Sequence, residues 1–311
     1  MIELILPLIL GTLVGTFTGI FPGIHINLVS AILLSHYSFF AIAPLSLVVF
    51  IVSLAITHTF LDFIPSVFLG APDEDNFLSI LPGHQLLMQG KGQEAVILTL
   101  YGSLIAIPII LIISPIFINF LPPLYTAIKL FIPYILIFVS LFLICREKEP
   151  ALSLLIFLLS GFLGLITFSL PVKEPLMPLL TGLFGLSSLI ISLKDKPFLT
   201  KQEILPLSQI KLPKKDFLKS FLSALISAPL CSFLPGIGSG HAAVIGSEII
   251  PQERKGFLFL VGSINTIVMG LSFVTAYSIG KTRTGAAAAI KEILQTITKT
   301  DLFIILLAIV L

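Results

Sequence analysis

Charged residues are scarce in this chain. Only 11% of its 311 residues are Asp, Glu, Lys or Arg, while 56% are hydrophobic. A soluble domain carries about 25% charged residues, and one core of this length cannot hide so much apolar surface. The scarcity excludes an ordinary soluble protein and predicts a chain that lipid partly covers.

Cysteine is nearly absent, with Cys145 and Cys231 as the two examples. Two lone thiols in or beside apolar segments make a disulfide framework or a cysteine metal site improbable, so we interpret both as packing residues. The first apolar run has no Lys or Arg before it, which a secretory signal requires. Elsewhere Lys and Arg occupy gaps between apolar runs, which argues against nucleic-acid binding.

Several enzyme motifs are missing too. The sequence has no HExxH zinc motif, no nucleophile elbow and no phosphate-binding P-loop. We therefore predict no catalytic residue, metal site or cofactor. An intramembrane enzyme that uses Asp62 with His58, or the acidic residues 73–75, is the third alternative considered.

Apolar segments long enough to cross a bilayer recur along the chain. They occupy 4–38, 42–61, 95–121, 124–145, 150–170, 175–193, 217–250 and 257–279, and the first and seventh are interrupted. The predicted fold class is all-α, a multi-pass protein of the cell membrane. The final run, 302–311, is apolar to its last residue and shorter than a span, so we expect the rest of that helix to be missing.

Basic residues predict one orientation, because cytoplasmic loops collect Lys and Arg. The segment 194–219 holds seven Lys and no Arg, so it is predicted to be cytoplasmic. Counting spans from it also places Lys91, Arg146 and Arg254–Lys255 inside. The first ninety residues contain no Lys or Arg, which fits an external N-terminus.

Two interrupted segments resemble each other. Ile20-Phe-Pro-Gly-Ile24 matches Phe233-Leu-Pro-Gly-Ile237, and small residues precede both at equal offsets. These small residues are Gly11, Gly15 and Gly19 in one segment and Ala224, Ala228 and Ser232 in the other. Proline removes a backbone donor and glycine favours a break, so each Pro-Gly predicts a helix interrupted within the membrane. A simple proline kink, or a loop between two full spans, is the alternative.

The orientation makes these segments inverted-topology repeats with re-entrant helices. Both ends of hairpin 4–38 would lie outside and both ends of 217–250 inside, as in many secondary transporters. The predicted organisation is a first repeat (1–121), connecting transmembrane helices (122–193), a Lys-rich cytoplasmic loop (194–216) and a second repeat (217–311). Helix breaks survive in lipid only when protein or a wet cavity borders them, and the amides that begin a helix attract anions.

Residues beside the breaks, and polar residues that follow the next span, are the candidate substrate ligands. They are Pro22, Gly23, His25, Asn27, Pro235, Gly236, Gly238, Ser239, Gly240, His241, Asn265, Lys281 and Arg283. The last two cations would complement a carboxylate or phosphate, with Arg283 offering a bidentate fork. Alternatively, both face water in a surface loop.

Ionisable residues in or near spans are candidates for coupling to H⁺ or Na⁺. His58 and Asp62 are four residues apart and can meet on one helix face, although a satisfied interfacial pair is the alternative. Asp73 is the third coupling candidate. It belongs to a run of three acidic residues that cannot all be buried while ionised, so a surface loop is the alternative there.

Several motifs in the two halves are informative together. In the first half they are Phe21-Pro-Gly-Ile24, Gly70-Ala-Pro-Asp-Glu-Asp75 and Leu81-Pro-Gly-His-Gln-Leu-Leu-Met-Gln-Gly-Lys-Gly92. In the second half they are Leu234-Pro-Gly-Ile-Gly-Ser-Gly240 and Ile279-Gly-Lys-Thr-Arg-Thr-Gly-Ala-Ala-Ala-Ala-Ile290. The order of the motifs is more informative than any one of them. In this order they resemble the large membrane subunit of tripartite tricarboxylate transporters, and those of the second half resemble a short archaeal-type branch.

This resemblance implies a secondary transporter of carboxylates that works with a small membrane subunit and a periplasmic binding protein. Membrane lipids and a second copy of the chain are further expected partners. The chain is shorter than the usual large subunit and its first-half patch is more acidic, which leaves substrate and partners open. A similar Pro-Gly hairpin family moves polyprenyl-phosphate lipids, so a lipid-phosphate transporter or flippase is the alternative function.

Overall fold

The computed structural model describes residues 2–37, 42–69, 80–172 and 200–311, together with 175, 179, 181–186 and 190. Within these residues all regular structure is helical and no strand occurs. The predicted all-α class is therefore confirmed. Most of the predicted span 175–193 lies outside the described residues, which include one π-helical turn at Thr181–Leu186.

The helices of the first part of the chain are α1 (Ile5–Ile20), α2 (Ile26–Ser35), α3 (Pro44–Leu61), α4 (Phe63–Leu69), α5 (Ile80–Met88), α6 (Gly92–Ile128), α7 (Ile132–Arg146) and α8 (Pro150–Ser169). Those of the second part are α9 (Lys214–Phe233), α10 (Ser239–Ile249), α11 (Arg254–Ile279), α12 (Gly285–Leu294) and α13 (Lys299–Val310). Short 3₁₀ turns lie at Ile2–Leu4 and Leu207–Gln209.

Five helical segments in the described part of the chain are long and apolar enough to cross a bilayer. They are Pro44–Leu69 (α3 with α4), α6, α8, α9 and α11. Helices α1, α2 and α7 are apolar but shorter. A bilayer needs about 20 apolar residues per helix, so these helices make the chain a multi-pass membrane protein.

Helix α11 is the centre of the fold. Its most apolar stretch is 94% buried, and it lies along α6 at very short range. A Cβ added at Gly102 would lie 2.1 Å from Phe259 O, and one added at Gly262 would lie 2.2 Å from Thr99 O. Small residues of this kind let helix backbones approach closely inside a membrane. The α6–α11 contact therefore depends on both glycines.

A row of glycines packs α1 against α3. A Cβ added at Gly11 would lie 2.0 Å from Ser53 Oγ, and one added at Gly15 would lie 2.5 Å from Leu54 O. The small residues Ala224 and Ala228 of α9 are fully buried. The first row thus lies in a tight helix contact, and the second row faces the interior of the fold.

Helix α6 differs from the sequence prediction at Pro122 and Pro123. The sequence predicts separate spans on either side of them, but the helix continues to Ile128 and is about 55 Å long. Each proline removes one backbone hydrogen bond, yet Thr126 Oγ1 donates to Pro122 O at 2.9 Å. Where water does not compete for backbone groups, a helix that lacks single bonds is retained. The predicted boundary between spans 95–121 and 124–145 is therefore wrong.

The basic segments predicted to be cytoplasmic meet at one end of the molecule. Three contacts join them: the ion pairs Lys255–Glu94 and Arg146–Glu248, and the hydrogen bond from Glu203 N to Gly90 O at 2.8 Å. One common side of the membrane is what the predicted orientation requires. That this side is the cytoplasmic one stays a prediction.

Part of the Lys-rich loop is docked, although its composition suggests solvation. Gln202 Nε2 donates to Leu87 O at 3.0 Å, and Gln202 Oε1 accepts from Gly92 N at 3.0 Å. Leu205 N donates to Gln93 Oε1 at 2.7 Å. The connector therefore lies along the α5–α6 turn of the first repeat.

Candidate substrate site between the helix breaks

Both Pro-Gly sequences lie between helices. Helix α1 ends at Ile20 before α2 begins at Ile26, and α9 ends at Phe233 before α10 begins at Ser239. Gly23 and Gly236 have φ of +90° and +77°, in the left-handed region that glycine adopts at little cost. The helices are interrupted where the sequence predicts, and the position of these breaks in a bilayer stays a prediction.

A histidine caps the helix that follows each break. His25 Nδ1 accepts a hydrogen bond from Asn27 N at 3.1 Å, at the start of α2. His241 Nδ1 accepts one from Gly238 N at 3.3 Å, at the start of α10. The first amides of a helix lack partners inside the helix, so these imidazoles stabilise the two new helix starts.

A cavity of about 310 Å³ lies where the two halves meet. Its lining residues are Asn27 from the first half and Gly236, Gly238, Gly240, His241, Asn265, Val268, Met269, Arg283 and Thr284 from the second. The side chains among them are mostly polar, and the residues that the structure describes contribute no Asp or Glu to the lining. Seven of the predicted substrate ligands thus border one cavity.

Three helices begin at this cavity. Asn27 lies in the first turn of α2, Gly238 is the N-cap of α10 and Thr284 is the N-cap of α12. Each helix start carries about half a positive charge from its aligned peptide dipoles. Together with the Arg283 guanidinium, these dipoles make the cavity electropositive, which favours an anion.

Asn27 connects α2 to the start of α12. Its Oδ1 accepts a hydrogen bond from Gly285 N at 2.9 Å, and a Cβ added at Gly285 would lie 2.7 Å from the same oxygen. Thr284 Oγ1 accepts from Ala287 N at 3.2 Å and lies 3.0 Å from Ser272 Oγ of α11. The first repeat thereby touches the third helix start directly.

Arg283 spans the second break. Its Nε donates to Cys231 O at 3.1 Å, and one terminal nitrogen donates to Ile237 O. These carbonyls belong to the last turn of α9 and to the residue before the N-cap of α10. A guanidinium has five N–H donors, so two hydrogen bonds do not exhaust its capacity to bind a ligand in the cavity.

A buried polar group lies beside the cavity at the end of α3. His58, Asp62 and Asn265 are 2%, 4% and 3% exposed. Asn265 Nδ2 donates to Asp62 Oδ2 at 2.8 Å. His58 Nδ1 lies 2.9 Å from Thr18 Oγ1, and the centroids of the His58 and His25 rings are 5.6 Å apart. Of the coupling candidates, Asp62 therefore reaches the cavity through Asn265.

The other sequence candidates occupy positions around the breaks. Pro22, Gly23, Pro235 and Lys281 are exposed, Ser239 is buried at the start of α10, and Asp73 lies outside the described residues. No group of three His, Cys, Asp or Glu side chains in the described ranges is placed to hold a metal ion.

Sequence reasoning missed three residues of the cavity. Thr284 carries a usable signal, because a threonine before Gly-Ala-Ala-Ala-Ala marks the start of a helix. Val268 and Met269 carry none, since they resemble ordinary core residues of an apolar helix.

Broken apolar helices around an electropositive cavity are typical of membrane transporters. The chain belongs to the tripartite tricarboxylate transporter TctA family, whose profile matches residues 5–310. The resemblance drawn from the motifs is confirmed. The name of the family implies that its members in general work with partner subunits, including a binding protein.

One curated relative comes from an archaeon. The chain is 34% identical over 267 residues to the uncharacterized protein MJ1079 of Methanocaldococcus jannaschii. The match covers 83% of this chain and 66% of that protein, so the chain spans less than two-thirds of its relative's length. No solved structure matches the chain.

Proposed function

We propose that the protein is a secondary transporter that moves a small organic anion of the carboxylate class across the cell membrane. The observation that carries this proposal is the cavity of about 310 Å³, bordered by three helix starts and Arg283, with no acidic side chain among the described residues of its lining. An anion there would meet backbone N–H groups and a guanidinium, without a facing carboxylate from those residues. Membership in a transporter family supports the same function.

We further propose that the halves form inverted repeats, with α1, α2 and α3 equivalent to α9, α10 and α11. The matching order of helix, Pro-Gly break, helix and long helix supports this equivalence. The two long helices meet near the cavity, where Thr59 Oγ1 lies 3.1 Å from Thr266 Oγ1. Movement of one repeat against the other would then expose the anion alternately to the two sides.

His58 and Asp62 are the proposed coupling residues for H⁺ or Na⁺. Their burial and the contact from Asp62 to Asn265 support this role, because an ionisable residue inside a membrane is costly and is usually functional. For Asp73 the coupling role rests on the sequence alone.

We propose a small membrane subunit and an extracellular binding protein as partners, with a second copy of the chain as a further one. Helix α8 supports such contacts, since only 6% of its most apolar stretch is buried. Lipids, a subunit or a second copy would cover this surface.

A lipid phosphate is the alternative substrate. A polyprenyl chain needs a groove open to the bilayer, whereas a cavity of about 310 Å³ is near the small end of ligand pockets. Five of its seven lining residues other than glycine are polar, which also favours a small anion over a long apolar chain.

Ligand-induced stabilisation of the purified protein in nanodiscs tests the proposal. The probes are mono-, di- and tricarboxylates and a short isoprenyl phosphate. A carboxylate at a hundred times its Kd should stabilise the protein by about 2.7 kcal/mol. Uptake of the same carboxylate into proteoliposomes should follow. Stabilisation by the isoprenyl phosphate alone would contradict the proposal and favour the lipid substrate.

A further inference from the structure

We propose that a proton bound at Asp62 turns the Asn265 carboxamide into a hydrogen-bond donor toward the cavity, so that proton and anion bind together. This inference rests on the transport function proposed above. It assigns a positioning role to Asn265 and selects H⁺ as the coupling ion.

The geometry places Asn265 between the carboxyl and the anion cavity. Its Nδ2 donates to Asp62 Oδ2 at 2.8 Å, and the same residue lines the cavity. Asp62 is the C-cap of α3, and both side chains are almost completely buried. A change at the carboxyl is therefore passed to the cavity by the Asn265 side chain.

Hydrogen-bond chemistry gives this side chain two orientations. An ionised carboxylate only accepts, so it holds Asn265 with Nδ2 toward Asp62 and leaves the amide oxygen for the opposite direction. A protonated carboxyl has an O–H donor, which can donate to Oδ1 of Asn265. The carboxamide, turned by about 180°, then presents Nδ2 to the anion, and its oxygen and nitrogen are nearly equal in size.

Loss of the carboxylate charge acts in the same direction. Like charges a few ångströms apart in a poorly polarisable interior repel strongly. Protonation of Asp62 removes a negative charge behind the cavity wall at the moment when an anion enters. Both effects raise the affinity for the anion at low pH and lower it at high pH.

In the part of the chain that the structure describes, the titratable groups around Asp62 leave this control to the carboxyl and to His58. On its own helix His58 lies one turn earlier, beside His25, while α1 and α4 contain no titratable side chain. On α11 the cations Arg254 and Lys255 lie about 15 Å along the helix axis from Asn265.

Other ionisable groups on the helices and segments next to α3 have separate contacts or exposed positions. Among those with contacts, Glu94 is paired with Lys255, Lys291 donates to Gly280 O and Asp301 accepts from Thr298. Arg283 spans the second break, and Tyr101 donates to Leu207 O. Tyr277 and His84 are half-buried, and the exposed groups are Glu3, Lys129, Glu292 and Lys299. Asp62 and His58 are thus the two candidates for the group that binds the proton. Variants of each residue show which of the two it is.

Calorimetric titration with the carboxylate that stabilises the protein best, from mildly acidic to mildly alkaline pH, tests the inference. The wild type should bind about tenfold more tightly at the acidic end and take up a proton on binding, since coupled sites differ by such factors. Asp62→Asn should keep the tight affinity at every pH without proton uptake. Asn265→Leu should bind more weakly and keep only the part of the pH dependence that comes from the Asp62 charge, whereas Thr266→Val should behave like the wild type.

Other results of these titrations would contradict the inference or the proposed function. Equal wild-type affinity at all pH values, or an affinity set by Na⁺ instead of pH, overturns the inference while the anion site stands. If the affinity for the anion still depends on pH in Asp62→Asn but not in His58→Gln, the proton belongs to the histidine. That result also overturns the inference. If Asp62→Asn fails to fold, a pH dependence of anion affinity in Asn265→Leu as steep as that of the wild type is the overturning result. A wild type that binds none of the carboxylates at any pH removes the proposed function itself.

Discussion

At the scale of single residues, Arg283 connects the second break to the cavity. Arg283→Gln removes the charge and both hydrogen bonds to Cys231 O and Ile237 O, so anion affinity should fall at least tenfold. The reason is that the anion loses a hydrogen bond from the guanidinium, and a hydrogen bond to a charged group contributes about 1.5–3 kcal/mol. Arg283→Lys keeps the charge without the planar fork and should lie between the two. Calorimetry on the purified variants measures both effects.

Lys281 provides the matched control for this experiment. It lies two residues earlier and is exposed, so Lys281→Gln removes an equal charge outside the cavity. Its affinity for the anion should equal that of the wild type. An equal loss in both variants would assign the effect to distant charge and contradict a contact role for Arg283.

The candidate ligands show how far sequence reasoning reaches at this scale. Polar residues next to Pro-Gly were predictable, because a break exposes backbone groups and marks a functional position. The bond from Gly285 N to Asn27 Oδ1 was not, since it joins residues 258 positions apart and local patterns carry no distance information. For the same reason Asp62 and Asn265 could be named separately from the sequence but not as partners.

At the scale of helices, the Pro-Gly breaks are the features on which binding is proposed to depend. Gly236 has φ of +77°, and nothing lies within 4 Å of an added Cβ. Gly236→Ala should therefore cost only the left-handed backbone energy, about 1–2 kcal/mol. Replacing Pro235 and Gly236 together by Ala should allow α9 and α10 to join and should abolish uptake into proteoliposomes, although the protein still inserts. Replacement of Pro22 and Gly23 should do the same, and uptake retained in both double variants would count against the broken-helix site.

Close helix contacts make a second prediction at this scale. Gly262→Ala places a methyl group 2.2 Å from Thr99 O, so α6 and α11 must separate. Overpacking of this kind costs about 1–3 kcal/mol and should lower the thermal unfolding midpoint in detergent. Gly161→Ala is the control, because nothing lies within 4 Å of a Cβ at that position on α8. A normal midpoint in Gly262→Ala would show that this helix contact is looser than the structure indicates.

Proline alone does not predict where a helix ends. At Pro22 and Pro235 the following glycine adopts a left-handed conformation that turns the chain out of the helix. Pro122 and Pro123 are followed by no such residue, and α6 continues through them. The difference comes from the neighbouring residue and from side-chain donors such as Thr126, which apolar periodicity does not reveal.

At the scale of the whole molecule, the connector between the halves belongs structurally to the first. Residues 200–205 are hydrogen-bonded to the α5–α6 turn through Gln202 and Leu205. If one repeat moves against the other, this connector stays with the first half. The contacts that must then hold or reform lie around the cavity, where Asp62 meets Asn265 and Asn27 meets Gly285.

The last prediction concerns the proposed opposite orientation of the two hairpins in the membrane. His36 ends α2, and Glu253 follows α10 by a few residues. In a chain with Cys145→Ser and Cys231→Ala, we expect a membrane-impermeant maleimide to label His36→Cys from outside and Glu253→Cys from inside. Ser208→Cys, in the exposed part of the connector, should report the inner side.

The ion pairs between Lys255 and Glu94 and between Arg146 and Glu248 fix the side of the membrane on which the second hairpin ends, relative to the other basic segments. They join the end of α10 to the same end of the molecule as the Lys91 turn, so Glu253 and Ser208 must share a side. His36 is then the position that decides between the topologies. Labelling of His36→Cys from inside would place both hairpins on one side, and alternating access by inverted repeats could not operate in this fold.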